Sequence, residues 1–332
     1  MTGELMTAEM AEQPEVLARV TARAPADAEA VRAVVPRPLA GVVFLARGSS
    51  DNAAVFGRYL AELRAGRPAG LAAPSLYTRY HAAVDWRGYL VVALSQSGAT
   101  PEIISACKAM RAAGAAVLGI SNEPHSPLAD TVDLLLDTDA GPELAIPATK
   151  TVTAQFAVLA TVASAVRAAP VAADTLAGLP DAVSAVLANP DPPRWLAGHW
   201  QGLDRLVVAG RGLAYAAALE TALKVKETTG ILAEGISTAD LLHGPIATVY
   251  AGAPVLLVDG GGPADADLAD LRDLLASRGA EAAALPVPPG LPETAQVITA
   301  IVRGQQLAME LALARHTNPD APAHLSKVTA TT

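Results

Sequence analysis

Cysteine is nearly absent. Cys107 stands alone in 332 residues, which excludes an intrachain disulfide framework and a cysteine-ligated metal cluster. The six histidines, His81, His125, His199, His243, His316 and His324, include no pair at ligand spacing, so neither a protein-bound metal nor another cofactor is expected. Aromatics are only 4% of the chain, so the core has to be built from Ala, Val and Leu, which suits closely packed helix-on-sheet layers. Positive charge is short as well: the net charge of -9 argues against nucleic acid and anionic membrane surfaces as partners. The apolar run at residues 156–166, closed by Arg167, is too short to span a bilayer. The opening MTGELMTAEMAEQ is acidic and lacks the apolar run of a signal peptide. The expectation is a cytoplasmic protein.

Lysine is the most telling scarcity. Of 24 basic residues only Lys108, Lys150, Lys224, Lys226 and Lys327 are lysines, so arginine serves wherever a generic positive charge is enough. A lysine that persists against this bias is a candidate for chemistry that needs a primary amine, such as attack on a carbonyl.

What is present is the balance of a compact protein, 52% hydrophobic and 17% charged, and long enough for two domains. Residues 41–46 (GVVFLA) and 89–94 (YLVVAL) are continuous apolar runs of the kind buried on both sheet faces. Each is followed by a hydroxyl-rich turn. The first reads Arg47-Gly48-Ser49-Ser50-Asp51-Asn52 and leads into a helix expected over 53–65; the second reads Ser95-Gln96-Ser97-Gly98-Ala99-Thr100-Pro101. Thr100 suits an N-cap and Pro101 the first helical position. Free amides and the helix dipole there attract an anion, and the hydroxyls add donors, so a phosphate monoester is the natural ligand. Further strands are expected at 115–121 and 133–138 and a helix at 149–165.

The stretch 218–247 carries the densest candidate chemistry. On a helix, Glu220, Lys224 and Glu227 share one face while Lys226 points elsewhere. Such a pair is most often a solvated surface, and lysine scarcity is what argues otherwise. His243 is followed by Gly244 and Pro245, which hold it on a shaped loop. The chain also repeats itself: the Gly48 turn matches Gly212, and VVAL at 91–94 matches VLLV at 255–258, at an offset of 164. RAAG and SRGA match one residue further on. Two alternating strand and helix units are therefore expected. Only the first is equipped for phosphate, because the second has Asp259-Gly260-Gly261-Gly262 in place of the hydroxyls.

Glu12-Gln13-Pro14, Ser95-Gln96-Ser97-Gly98-x-Thr100, Thr149-Lys150-x-x-Thr153-x-Gln155, the 218–227 helix, Glu234, His243-Gly244-Pro245 and the tail Asn318-Pro319-Asp320-x-Pro322 to Leu325-Ser326-Lys327-Val328-Thr329 together resemble the double sugar-isomerase (SIS) domain proteins. The likeness is to the isomerase half of glutamine:fructose-6-phosphate amidotransferase and to SIS-type glucosamine-6-phosphate deaminases. It implies an α/β fold of two tandem SIS domains, each a mainly parallel sheet flanked by helices in a flavodoxin-like three-layer sandwich. The expected division is an N-terminal helical segment (1–38), a first domain (39–170), a linker (171–200), a second domain (201–315) and a catalytic tail (316–332).

The resemblance also implies roles. Ser50, Ser95, Gln96, Ser97 and Thr100 would hold the phosphate, with Gly48, Ser49, Ile146 and Ala148 lining the substrate site. Glu227 would move a proton between C1 and C2 of the open sugar, and His243 would open the ring from the neighbouring subunit of a homodimer. Lys327 would form an imine with the sugar carbonyl or act as a positive charge on the intermediate, with Glu220 and Lys224 as supporting groups or Lys224 as a proton shuttle. Two departures stand out: Ala148 replaces a serine of the amidotransferase pattern, and His316-Thr317 occupy a turn where glycine is expected. An amidotransferase needs a glutaminase with an N-terminal cysteine, whereas this chain opens almost on the Glu-Gln-Pro helix. The expected reaction is therefore deamination of glucosamine 6-phosphate to fructose 6-phosphate and ammonia. A galactosamine-6-phosphate deaminase, an Amadori-sugar deglycase, an ammonia-using isomerase and a non-catalytic sugar-phosphate sensor are the alternatives.

Overall fold

The computed structural model describes residues 3–167 and 176–327. Its elements are α1 (Glu4–Ala11), α2 (Gln13–Val34), β1 (Gly41–Leu45), α3 (Ser49–Ala65), β2 (Ala69–Leu71), α4 (Ser75–Thr78), β3 (Tyr89–Leu94), α5 (Pro101–Ala112), β4 (Ala116–Ser121), β5 (Leu134–Asp137), α6 (Lys150–Val166), α7 (Leu179–Leu187), α8 (Asp191–Trp200), β6 (Arg205–Gly210), α9 (Ala214–Thr229), β7 (Leu232–Ser237), α10 (Thr238–Leu242), β8 (Pro254–Val258), α11 (Asp265–Ser277), β9 (Glu281–Ala284) and α12 (Glu293–Ala314). Residues 16–142 with 154–167 form one compact unit, and 3–15, 143–153 and 176–327 form the other.

The first unit holds a parallel sheet ordered β2-β1-β3-β4-β5, the second a parallel sheet ordered β7-β6-β8-β9. The repeat read from the sequence is visible in the elements: β1 starts at Gly41 and β6 at Arg205, and α5 at Pro101 and α11 at Asp265, both 164 apart. Gly48 and Gly212, after the first strand of each copy, have φ of 60° and 59°, a backbone region that glycine enters without steric cost. The one-residue slip is visible too, since Gly114 and Gly279 both take positive φ after α5 and α11.

Small side chains set the spacing of the layers, as the shortage of aromatics requires. In the first unit Val43, Leu45, Val91, Ala93, Ile103, Cys107 and Val117 form one of the sheet's two buried faces with α5. Burial pushes the Cys107 thiol up to about 12, so this cysteine is an inert core residue. In the second unit α9 approaches α12 so closely that a Cβ on Gly304 would lie 2.1 Å from Thr221 Oγ1. Helix α12 is long and apolar enough by composition to cross a membrane, but 89% of its apolar window is buried inside the protein, which marks it as a core helix. It packs on α7, α8 and α9.

Several expectations shift. Helix α3 begins at Ser49 rather than 53, so Ser49 and Ser50 lie in its first turn. Pro14 sits in the first turn of α2, where a missing N–H costs nothing. Residues 179–187 and 191–200 of the expected linker are helical, with proline in the first turn of α7 and of α8. Linker residues 171–175 and tail residues 328–332, Val328 and Thr329 among them, lie outside the described residues.

Candidate functional site

In the first unit β1 and β3 are neighbours, with Leu45 opposite Ala93, so the turns that follow them leave the same sheet edge side by side. Ser50 and Ser95 are buried, and Ser49, Gln96, Ser97 and Thr100 are partly so. The loop is held from beneath: Ser121 Oγ donates to Gln96 O (3.3 Å), Asn122 N donates to the same carbonyl (3.0 Å), and Leu128 N donates to Gly98 O (2.9 Å). Gly98 has φ of 58°, and any Cβ there would collide with Ser126. Thr100 is the N-cap residue of α5, but its hydroxyl makes no cap. It lies 3.2 Å from Ser95 Oγ instead, leaving the first-turn amides of α5 to a ligand. Arg47, which the sequence reading passed over, pairs at 3.1 Å with Glu102 in that first turn. It offsets a carboxylate that would otherwise repel an anion.

In the second unit the face of α9 is not solvated. Lys224 is buried, and its amine hydrogen-bonds Glu227 and lies 3.5 Å from Glu220 Oε1. Glu220 is fully buried, whereas the Glu227 side chain keeps 24% exposure, so Glu227 is the member a substrate can reach. Burial works against the Lys224 ammonium, but Glu227, Glu220 and Glu143 together outweigh it and hold it above the usual lysine value. This environment favours the ammonium form of Lys224. Lys226 is exposed.

The tail brings Lys327 to the same unit. Its amine donates to Glu143 Oε2 (2.8 Å) and Ala145 O (2.7 Å). Ile146 and Ala148 are half-buried on the segment just beyond, and Ile146 N donates to Asp320 O at 2.9 Å. His316 adopts φ of 58° at the end of α12, so a histidine makes the left-handed turn where glycine was expected. Lys150 is buried against Glu12 at 2.6 Å, and Gln13 accepts from Thr153 Oγ1 at 2.9 Å, which pairs the Glu-Gln-Pro and Thr-Lys motifs. Three of the five lysines therefore meet carboxylates. His243 stands apart at the exposed end of α10, followed by Gly244 at φ of 130°. Among the described residues no hydrogen bond or ion pair joins it to this cluster. Sequence reasoning missed Glu143; its signal is a lone carboxylate between Pro142 and the apolar run Leu144-Ala145-Ile146.

The loop after β8 is acidic. Asp259 Oδ1 accepts from Gly261 N (2.8 Å), and Asp265 Oδ1 accepts from Gly260 N (3.4 Å). Burial, then the neighbouring Asp259, pushes Asp265 above its ordinary value, and burial and then Asp265 do the same to Glu293. A second phosphate cradle is thus disfavoured here. Carboxyls raised in the folded state bind more protons than the unfolded chain between their ordinary and raised values, so their contribution to stability falls as pH rises through that window. Asp265→Asn is expected to raise the melting temperature at pH 7 and to shrink the gain on moving to pH 5. Equal pH shifts in variant and parent would refute this.

Comparison with known proteins follows the same lines. The SIS domain family model matches residues 41–165 and 202–317. A glutamine–fructose-6-phosphate aminotransferase (isomerizing) of Pyrococcus horikoshii is 33% identical over 86% of this chain and 51% of its own length, so the chain spans about half of that relative. The C-terminal domain of the glucosamine-fructose-6-phosphate aminotransferase of Francisella tularensis superposes with a TM-score of 0.87 at 25% identity, covering 96% of this chain and 98% of that one. A glucosamine-6-phosphate deaminase of Thermotoga maritima has the same fold, with a TM-score of 0.77 at 22% identity over 98% and 99% of the two chains. With two repeated parallel sheets and a matching family model in each, the chain belongs to the SIS domain family.

Proposed function

We propose that the protein deaminates and isomerises an amino-sugar phosphate, converting glucosamine 6-phosphate and water to fructose 6-phosphate and ammonia. The observation that carries this reading is the partly exposed carboxylate of Glu227 held by the buried ammonium of Lys224. A carboxylate so oriented can take the C2 proton of the open 2-amino aldehyde and return it to C1. The C2 amine becomes a ketimine in this shift, and water releases ammonia from it. The hydroxyl-lined loop at β1 and β3 takes the phosphate, Lys327 stabilises negative charge developing on the sugar oxygen, and His243 assists ring opening as part of a homodimer.

A second reading is favoured by one finding, the aminotransferase relative of about twice this length. In it the chain performs the isomerising half of glutamine-dependent synthesis. Incubating the protein with glucosamine 6-phosphate separates the two. Release of ammonia and fructose 6-phosphate in equal amounts is expected. No ammonia from this substrate, together with amino-sugar phosphate formed from fructose 6-phosphate and ammonia, would replace the first reading with the second.

A further inference from the structure

The carboxylate of Glu143 is wholly buried, and its two oxygens have different tasks. Oε1 accepts the backbone N–H groups of Thr149 (2.9 Å) and Thr151 (3.2 Å) at the start of α6, a favourable seat for negative charge at a helix N-terminus. Oε2 accepts the Thr151 hydroxyl (2.8 Å) and the Lys327 amine (2.8 Å). A helix cap needs only the first oxygen. The second is aimed at the C-terminal tail, 184 residues away in sequence.

The surroundings fix both partners. On one side Glu9 accepts the N–H groups of Leu144 and Ala145, so α1 grips the segment that carries Glu143. On the other, the Asp320 carboxylate accepts the N–H groups of Leu5 and Met6, and Thr317 Oγ1 donates to Thr228 O (2.9 Å) at the end of α9. The tail is thereby tied to α1 and to the helix that carries Glu227. Past Asp320, the amine of Lys327 is held by Glu143 and one carbonyl.

We propose that Glu143 is a positioning residue for the tail amine: it anchors Lys327 beside Ile146 and Ala148 and so sets where the lysine's charge acts. This rests on the function proposed above, in which Lys327 serves the sugar. A long lysine side chain has many rotamers, and a charge-assisted bond to a buried, immobile carboxylate selects one of them. Glu143→Gln with the amide oxygen at the Oε1 position keeps the helix cap but turns an NH2 donor toward the amine, so the cap survives and the anchor is lost.

The test reads the anchor without reference to turnover. Lys327 and the exposed Lys226 are acetylated with a limiting amine-selective reagent and followed by peptide mass spectrometry. In the parent protein Lys327 is expected to react more slowly than Lys226, and in Glu143→Gln its reaction speeds up by about tenfold or more. Equal reactivity of Lys327 and Lys226 in the parent protein would overturn the proposal and needs no variant to fold. Unchanged Lys327 labelling in a folded Glu143→Gln would overturn it as well. With glucosamine 6-phosphate the variant is expected to lose about 10²-fold in kcat at little change in KM, whereas a purely structural role would lower stability and leave kcat per folded molecule intact. If the parent protein releases no ammonia, the function proposed above fails while the labelling still decides the anchor.

Discussion

Glu227→Gln is expected to lower turnover of glucosamine 6-phosphate by about 10³-fold, within the range a positioned acid or base contributes. Sugar-phosphate binding should hold within a factor of about two, because uniform binding and proton transfer are separate contributions. Glutamine keeps the shape of the side chain, and its amide oxygen can still accept from Lys224. What it cannot do is take a proton from C2. The hydroxyls proposed to hold the phosphate lie on other elements, after β1 and β3, and are untouched by the change. Calorimetry with fructose 6-phosphate reads the binding, and coupled ammonia detection reads the rate. A variant within tenfold of the parent rate would show that another group moves the proton. Mixing it with a His243→Ala chain should restore turnover if the imidazole acts across a dimer, since one site of each mixed pair then carries both intact groups.

How much of this was legible beforehand differs from element to element. The apolar runs of β1 and β3 are unambiguous because strands buried on both faces carry no polar alternation. The offset of 164 survived because both copies keep a left-handed glycine after the first strand, at Gly48 and Gly212. The start of α3 was harder. Gly48 is its N-cap residue, without a side-chain bond, so the serines that would mark a boundary by capping lie inside the helix. The burial of Lys224 could not be read from spacing at all, since the same i, i+4 pattern describes a solvated pair. It is decided by α12 packing on α9, a contact between segments about 80 residues apart. Glu143 was silent for a related reason. Its partners, Thr149, Thr151 and Lys327, converge only after the tail returns to α6.

Lys224→Met is expected to cost about 3–5 kcal/mol of stability, the range found when one partner of a buried ion pair is removed. The lysine side chain is 1% exposed and that of Glu220 is 0% exposed, so the deletion removes the ammonium beside a carboxylate in a dry interior. Methionine fills most of the lysine's volume, which separates the charge effect from a cavity. Replacing Glu220 by Gln in the same chain should recover much of the loss, because the buried charge left beside the methionine then disappears. It should not recover turnover, since Glu227 still lacks the cation that orients it. The pH dependence has a definite sign. Lys224 is held above its ordinary value of 10.5, so its contribution is fully present below that value and fades as pH rises through the folded one. Urea unfolding at pH 8 and above pH 10.5 reads both effects. The parent should lose stability over that interval by more than Lys224→Met does, and a cost below about 1 kcal/mol at pH 8 would place the triad among solvated surface pairs.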